Sequence, residues 1–223
     1  MEAKLAELGR MEKPEAGIFA GARKLFLVPL VFNREGAPQE YSELYEKYWG
    51  AVRASIESLE AKIGIVKRVF HEIISAGGED GLRMMEGLNP KGSSLARAKI
   101  DRGAVLEALE DEALFSEFVD WQRCASLGFM SQKVGAQVAN AYQDAAKKRL
   151  DHLAKRLDQA LGPGEAGLLF ISEDHKVQFP PGVEVFYVAP PALDEIHRFL
   201  RDARNRPAEK EEGGETHPVK GSP

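Results

Sequence analysis

Cysteine is almost missing from this chain, in which Cys124 is the single thiol. An internal disulfide is therefore excluded, and with it the small cross-linked secreted scaffold. A structural zinc site built on several thiolates is excluded on the same count. Long apolar runs are scarce too. The most hydrophobic, Leu25 to Phe32, has eight residues and contains Pro29, against the roughly 20 that a membrane span needs. No membrane partner is expected. The opening ten residues alternate charged side chains with Ala and Leu rather than forming an apolar secretion segment, so the cytoplasm is the expected compartment. Positive charge is in deficit, with 30 Lys and Arg against 35 Asp and Glu, a formal charge of −5. Nucleic-acid binders carry a basic face, so such a partner is not expected unless a local patch supplies one.

What is present is an ordinary globular composition, 43% hydrophobic and 29% charged over 223 residues, enough chain to bury a core without staples. Apolar periodicity divides it. Residues 2–13 suggest a frayed opening helix. Arg23 to Phe32 reads as a strand covered on both faces, with Pro29 placing it at an edge or a bulge because that residue has no amide to donate. From Tyr41 to Ile63 the apolar side chains recur every three or four residues, an amphipathic helix. Gly64 stops it, and Ile65 to Ile74 is rich in β-branched residues, a second strand. Short helices are expected at Glu79–Leu88 and at Ser93–Ile100, the latter capped by Ser93 or Ser94. A firmer helix covers Asp111–Leu127, with Leu114, Phe118, Trp121 and Ala125 on one face. The longest covers about Ser131 to Leu161 and ends at Gly162 and Pro163. Two more strands, Gly167–Ser172 and Val183–Ala189, precede a last helix that starts at Pro190 or Pro191 and stops near Arg204. From Asn205 apolar periodicity ceases, which reads as a disordered tail.

The order strand, helix, strand points to a right-handed crossover unit. The expected fold is a single α/β domain over residues 1–204, with a small, partly parallel sheet, long packed helices and a helical insertion at 77–129. Residues 205–223 form the tail.

Each motif that would name a chemistry lacks a residue that chemistry requires. GPGEAG (Gly162–Gly167) has dinucleotide-loop spacing but leads from helix to strand, the reverse of what pyrophosphate binding requires. GLNPKGSS (Gly87–Ser94) puts Ser93 where a phosphate loop needs lysine. HEIIS (His71–Ser75) puts Ser75 where a zinc helix needs its second histidine. No metal and no cofactor are expected. Cys124 falls on the apolar face of its helix with Trp121 and Ala125, which suggests a buried structural cysteine. Arg149 to His175 is similar, in its order of helix, loop, strand and histidine, to the closing segment of the TraB and haem-uptake ChaN type of protein. That resemblance is confined to the segment. It implies a histidine after a glycine in the first strand, which Leu25–Asn33 lacks, so it assigns no family.

Candidate functional residues therefore come from position. Ligands of open α/β sheets bind beyond the carboxyl ends of the strands. There Glu79 and Asp80, and Glu173, Asp174 and His175, offer a carboxylate and imidazole for acid/base chemistry of a hydrolase type. Arg34, Lys91, Arg97 and Lys99 are candidates for contacting a phosphate or another anionic ligand. Lys147, Lys148, Arg149, His152, Lys155 and Arg156 form a basic stripe on the long helix, the route by which an RNA or ribosome partner would bind. Asp144, Asp151 and Asp158 interleave with it, as on a salt-bridged solvated face. The leading expectation is a non-catalytic binding or regulatory protein acting through its helices as a homo-oligomer, with a small molecule or another protein as partner. Val134, Val138, Tyr142 and Ala146 form the apolar stripe for such pairing, unless Asp111–Leu127 folds back over it as a hairpin.

Overall fold

The computed structural model describes Phe19 and residues 21–205. The opening helix expected at 2–13 and the tail from 206 onward lie outside these residues. The elements run β1 (Arg23–Pro29), α1 (Gln39–Ile63), β2 (Val66–His71), α2 (Gly78–Leu88), α3 (Pro90–Ile100), β3 (Val105–Leu106), α4 (Glu112–Ser126), α5 (Gln132–Ala160), β4 (Ala166–Ile171), β5 (Val183–Tyr187) and α6 (Pro191–Asn205).

Strand order is β3-β2-β4-β1-β5, and every pairing is parallel. The expected α/β architecture is present, with a sheet that is parallel throughout the described residues. A fifth strand, β3, comes from within the 77–129 segment, which thus contributes to the sheet as well as helices. Pro29 is a correction. Strand β1 is interior, flanked by β4 and β5, and Pro29 is tolerated because it is the last strand residue, where a missing donor costs the ladder least.

Chain direction across the sheet explains the layers. The chain passes from β1 outward to β2 and β3, then reverses through β4 to β5. Right-handed crossovers in opposite directions put their helices on opposite faces. Accordingly Phe26, Val28, Val69, Leu168 and Phe170 pack with α1, α2, α3 and α6. Leu25, Leu27, Phe70, Leu169 and Ile171 pack with Leu153, Leu157 and Leu161 of α5. Strand side chains alternate between faces, so a strand covered on both must be apolar throughout, as β4 (AGLLFI) is.

Local chemistry sets the boundaries. Asn89, not Ser93 or Ser94, caps α3: its Oδ1 accepts the Gly92 N–H at 3.0 Å and Pro90 follows at the first helical position, where its missing amide is harmless. Asp111 caps α4 through the Leu114 N–H at 2.9 Å. At GPGEAG, Glu165 accepts the Gly162 N–H at 2.9 Å, so a carboxylate occupies the turn after α5 where a phosphate would otherwise sit.

Candidate functional site

Three strand exits are joined by backbone at the carboxyl edge of the sheet. Past β2, the Glu72 N–H donates to the Phe170 carbonyl at 2.8 Å, extending the ladder by one residue. The chain then turns at Ile73, a β-branched residue at φ 79. Such a conformation costs an L-residue about 1–2 kcal/mol. It closes a turn in which the Ile74 N–H meets the His71 carbonyl, and it presents the Ile74 carbonyl to the N–H groups of Leu109 and Glu110, at 3.2 and 3.0 Å. The exit of β3 is thereby pinned to the exit of β2, and Glu110 is brought beside Glu72. From β4, Ser172 donates to Glu72 Oε2 through both its N–H and its hydroxyl, at 2.8 and 2.6 Å.

Arg149 of α5 closes the cluster. Its Nη2 donates to Glu72 Oε1 at 3.0 Å and to Glu110 Oε2 at 2.6 Å, while Nε also reaches Glu110 Oε2, at 2.9 Å. The guanidinium lies over the rings of Phe115 and Phe118, 5.3 and 5.0 Å from their centres, each a favourable cation–π arrangement. Burial pushes the Glu72 carboxyl upward, but hydrogen bonds from Ser172 and Arg149, with the guanidinium charge, outweigh it and hold the group below the usual carboxylate range. His71, wholly buried, carries its proton on Nδ1, which faces the Glu72 carbonyl, an atom that can only accept. Burial drives its imidazole down to about 4 despite that carbonyl and the Glu72 charge.

The cluster forms one wall of a cavity of about 320 Å³. Glu72, Ser172, Asp174, His175, Lys176 and Val177 line it from the sheet, and Phe118, Gln122, Tyr142, Ala146, Arg149 and Leu150 from the two helices. His175 Nδ1 is buried without a partner among the described residues. Burial lowers the His175 imidazole, partly opposed by Glu72 and Asp174.

The residues expected to act together are separated. Asp174 and His175 line this cavity. Glu173 instead meets His197 Nε2 of α6 at 2.8 Å and lines another cavity, of about 850 Å³, beside the loop after β1. Glu79 and Asp80 open α2 on the surface, where Glu79 meets Arg97 at 3.1 Å and Asp80 pairs with Arg83. The four expected anion contacts are dispersed as well. Lys91 is bonded to Glu46 at 2.6 Å, Arg97 to Glu79, and Lys99 is buried against Glu60 at 2.7 Å; Arg34 lines the larger cavity. In the basic stripe, Arg149 is buried and Arg156 donates to the Ala108 carbonyl at 3.1 Å, so both guanidiniums are engaged inside the protein.

Sequence reading missed Glu72, Glu110 and Ser172, and took Arg149 for a surface charge. One signal was available for the arginine. The buried face of α5 is Ala145, Arg149, Leu153 and Leu157, a spacing of four in which Arg149 stands at a core position.

Beyond Arg149 the helices leave the sheet. A helix of 29 residues is roughly 43 Å long, whereas the six-residue β4 spans roughly 20 Å. Before Ala145 no residue of α5 is buried, nor is any residue of α4. Joined by the short loop 127–131, the two form an antiparallel hairpin, with Phe118 stacked on Tyr142 at 5.5 Å. Helix α4 thus covers the stripe of Val138, Tyr142 and Ala146 within one chain. Cys124, on this arm, is half-buried rather than buried in a core. At the tip Leu127, Phe129, Met130 and Val134 are exposed, Met130 completely.

Compared with family models, curated proteins and solved structures, the chain matches none. Among the described residues, no helix is long and apolar enough to cross a membrane, and no group of three or more His, Cys, Asp or Glu is placed to hold a metal ion.

Proposed function

We propose that this chain is a non-catalytic binding protein that works through the α4–α5 arm, and that the arm docks on a second copy of itself. One observation carries the reading. Of the twenty residues Cys124–Gln143, which make up the outer part of the arm, only Lys133 is charged, in a chain where 29% of residues are. Depletion of charge together with exposed aromatic and Met side chains is the composition of a protein interface core. Ordinary solvated helices alternate charges, as the inner half of α5 does with Lys147, Lys148, Asp151 and Lys155.

The choice of a second copy follows from symmetry. A two-fold interface sets a patch against itself, so a charged patch would repel its own image, whereas this one brings together a single lysine from each side. Ala136 and Ala139, both exposed, add small side chains that let helices approach closely. The hydrolase reading is less well supported, because Glu173 is turned toward α6 and the His175 imidazole, whose Nδ1 has no partner, makes no hydrogen bond to the Ser172 hydroxyl or the Glu72 carboxylate among the described residues.

Sedimentation over about a hundredfold concentration range, enough to cross a micromolar dissociation constant, should reach twice the 24.6 kDa chain mass. Met130→Asp with Val134→Glu, both at exposed positions, should abolish the dimer and leave the melting temperature unchanged. A species that keeps the monomer mass throughout overturns the proposal.

A further inference from the structure

The cavity under the arm has a chemistry of its own. It is bounded half by strand exits and half by α4 and α5, so anything held there touches both parts of the molecule. Its wall is also prepared in advance, since Glu72 and Ser172 are fixed by Arg149 and the neighbouring strand before any ligand arrives.

Charge narrows what could bind. Glu72, Glu110 and Arg149 together carry one negative charge, and Asp174 and Lys176 at the mouth offset one another, so an anion meets repulsion there. Hydrogen bonding narrows it further. Arg149 has no acceptor for Nη1 among the described residues, and His175 Nδ1 has no partner. A ligand needs an acceptor for the first and a polar edge for the second. Phe118 is already stacked on Tyr142 and faced by the Arg149 guanidinium, so of these two rings it is Tyr142 that is left to take a flat π-system. Size completes the description: 320 Å³ corresponds to roughly ten waters at about 30 Å³ each, room for a single bicyclic base and not for a nucleotide.

We propose that this cavity binds a small planar heteroaromatic, uncharged or singly cationic, with donor and acceptor groups on its edge, of the size of a purine base. Half of the lining belongs to the arm, so the bound molecule bridges arm and sheet and slows local opening of the helices. The inference rests on the cavity and not on the arm's partner, and binding and mass measurements therefore fail independently.

Calorimetric titration of the full chain with adenine and with hypoxanthine tests it, with adenosine monophosphate and orthophosphate as comparisons. Expected is saturable binding of at least one base with a dissociation constant below about 1 mM, and binding of both phosphate compounds weaker by about tenfold or more. Gln122→Ala, at an exposed position, and Tyr142→Ala should each weaken the base by about tenfold. Amide exchange across α4 and the first half of α5 should slow when the base is bound. The proposal is overturned if neither base binds at about 5 mM, if the monophosphate binds as tightly as the base, or if both substitutions leave affinity unchanged in folded protein.

Discussion

Helix α1 buries Tyr45, Tyr48, Trp49, Val52 and Ile56 against the sheet, while α4, with Leu114, Phe118 and Trp121 at similar spacing, buries no residue. Periodicity marks the side of a helix that avoids water. It does not say how much apolar surface will be there to meet it. A sheet face offers α1 the side chains of several strands at once; α4 has one neighbouring helix, and two helices in contact leave much of each side chain in water. The first region is a core and the second an arm, joined at Arg149.

Charges introduced into each region give the widest separation. Val52→Asp or Ile56→Asp should destabilise by about 4 kcal/mol, the scale for an unpaired buried charge, whereas Leu114→Asp in α4 should cost about 1 kcal/mol, the centre of the mutational range. Urea unfolding measures both. Equal losses would mean that the arm is as much a part of the core as α1.

Cutting the junction comes next. Arg149→Met leaves Glu72 and Glu110 facing each other unpaired, a loss of about 3 kcal/mol. Arg149→Lys should recover only part of it, since an ammonium cannot serve both carboxylates and lie flat on two rings. The part of acid destabilisation that comes from Glu72 should shrink in the methionine variant. Ser172 still donates twice to its carboxyl, but without the guanidinium and beside an unpaired Glu110 the folded group rises toward its unfolded value, so less stability is lost as pH falls through this range. Full recovery by lysine would show that charge alone matters at this position.

Acid should weaken the core through His71. Its folded value, about 4, lies below the 6.5 of an unfolded histidine, so between these pH values the unfolded chain binds the extra proton. Stability is therefore complete above about pH 6.5 and declines as pH falls toward 4, by about 3 kcal/mol at the limit. His175, lowered in the same direction by burial, adds a smaller slope in this window. Chemical unfolding from pH 7 to 4.5 should show the decline, and His71→Leu should flatten most of it whatever its effect at pH 7. An unchanged slope in that variant would place the proton elsewhere.

The smallest effect belongs to the tip. Phe129→Ser and Met130→Ser should change monomer stability by less than about 0.5 kcal/mol, as surface positions do. A loss of 2 kcal/mol or more, measured in dilute protein, would mean that the tip is covered within its own chain.

The extents of α1 and α5 were legible because those helices are periodic and stop at Gly64 and just before Gly162. Strands β1, β2, β4 and β5 were located by their apolar content, with β1 and β2 ending earlier than expected; β3, two residues long, gave no signal. Pro29 misled, since a missing amide is compatible with a strand's last residue as well as with an edge. The cap of α3 misled because Ser93 and Asn89 both have the chemistry, and only Pro90 in the first helical position favours the earlier start. At the candidate site, Asp174 and His175 could be placed on a strand exit because β4 ends just before them. Glu72 and Glu110 could not be joined in this way: they are 38 positions apart, and a strained turn at Ile73 with a neighbouring strand exit brings them together.

Residue order alone settled which segments are helix or strand, β3 apart, the lack of a disulfide, and the long stretch Cys124–Gln143 with its single charge, because each depends on local sequence or composition. Strand order, the hairpin and the split between Glu173 and His175 were decided by tertiary structure. Neighbouring residues at a strand exit can turn to opposite faces, and which helix waits on each face depends on where the chain reverses across the sheet. Arg149 shows both levels at once. Its place on the buried face follows from a spacing of four, but its two carboxylates arrive from β2 and β3, and only the folded sheet puts them within reach.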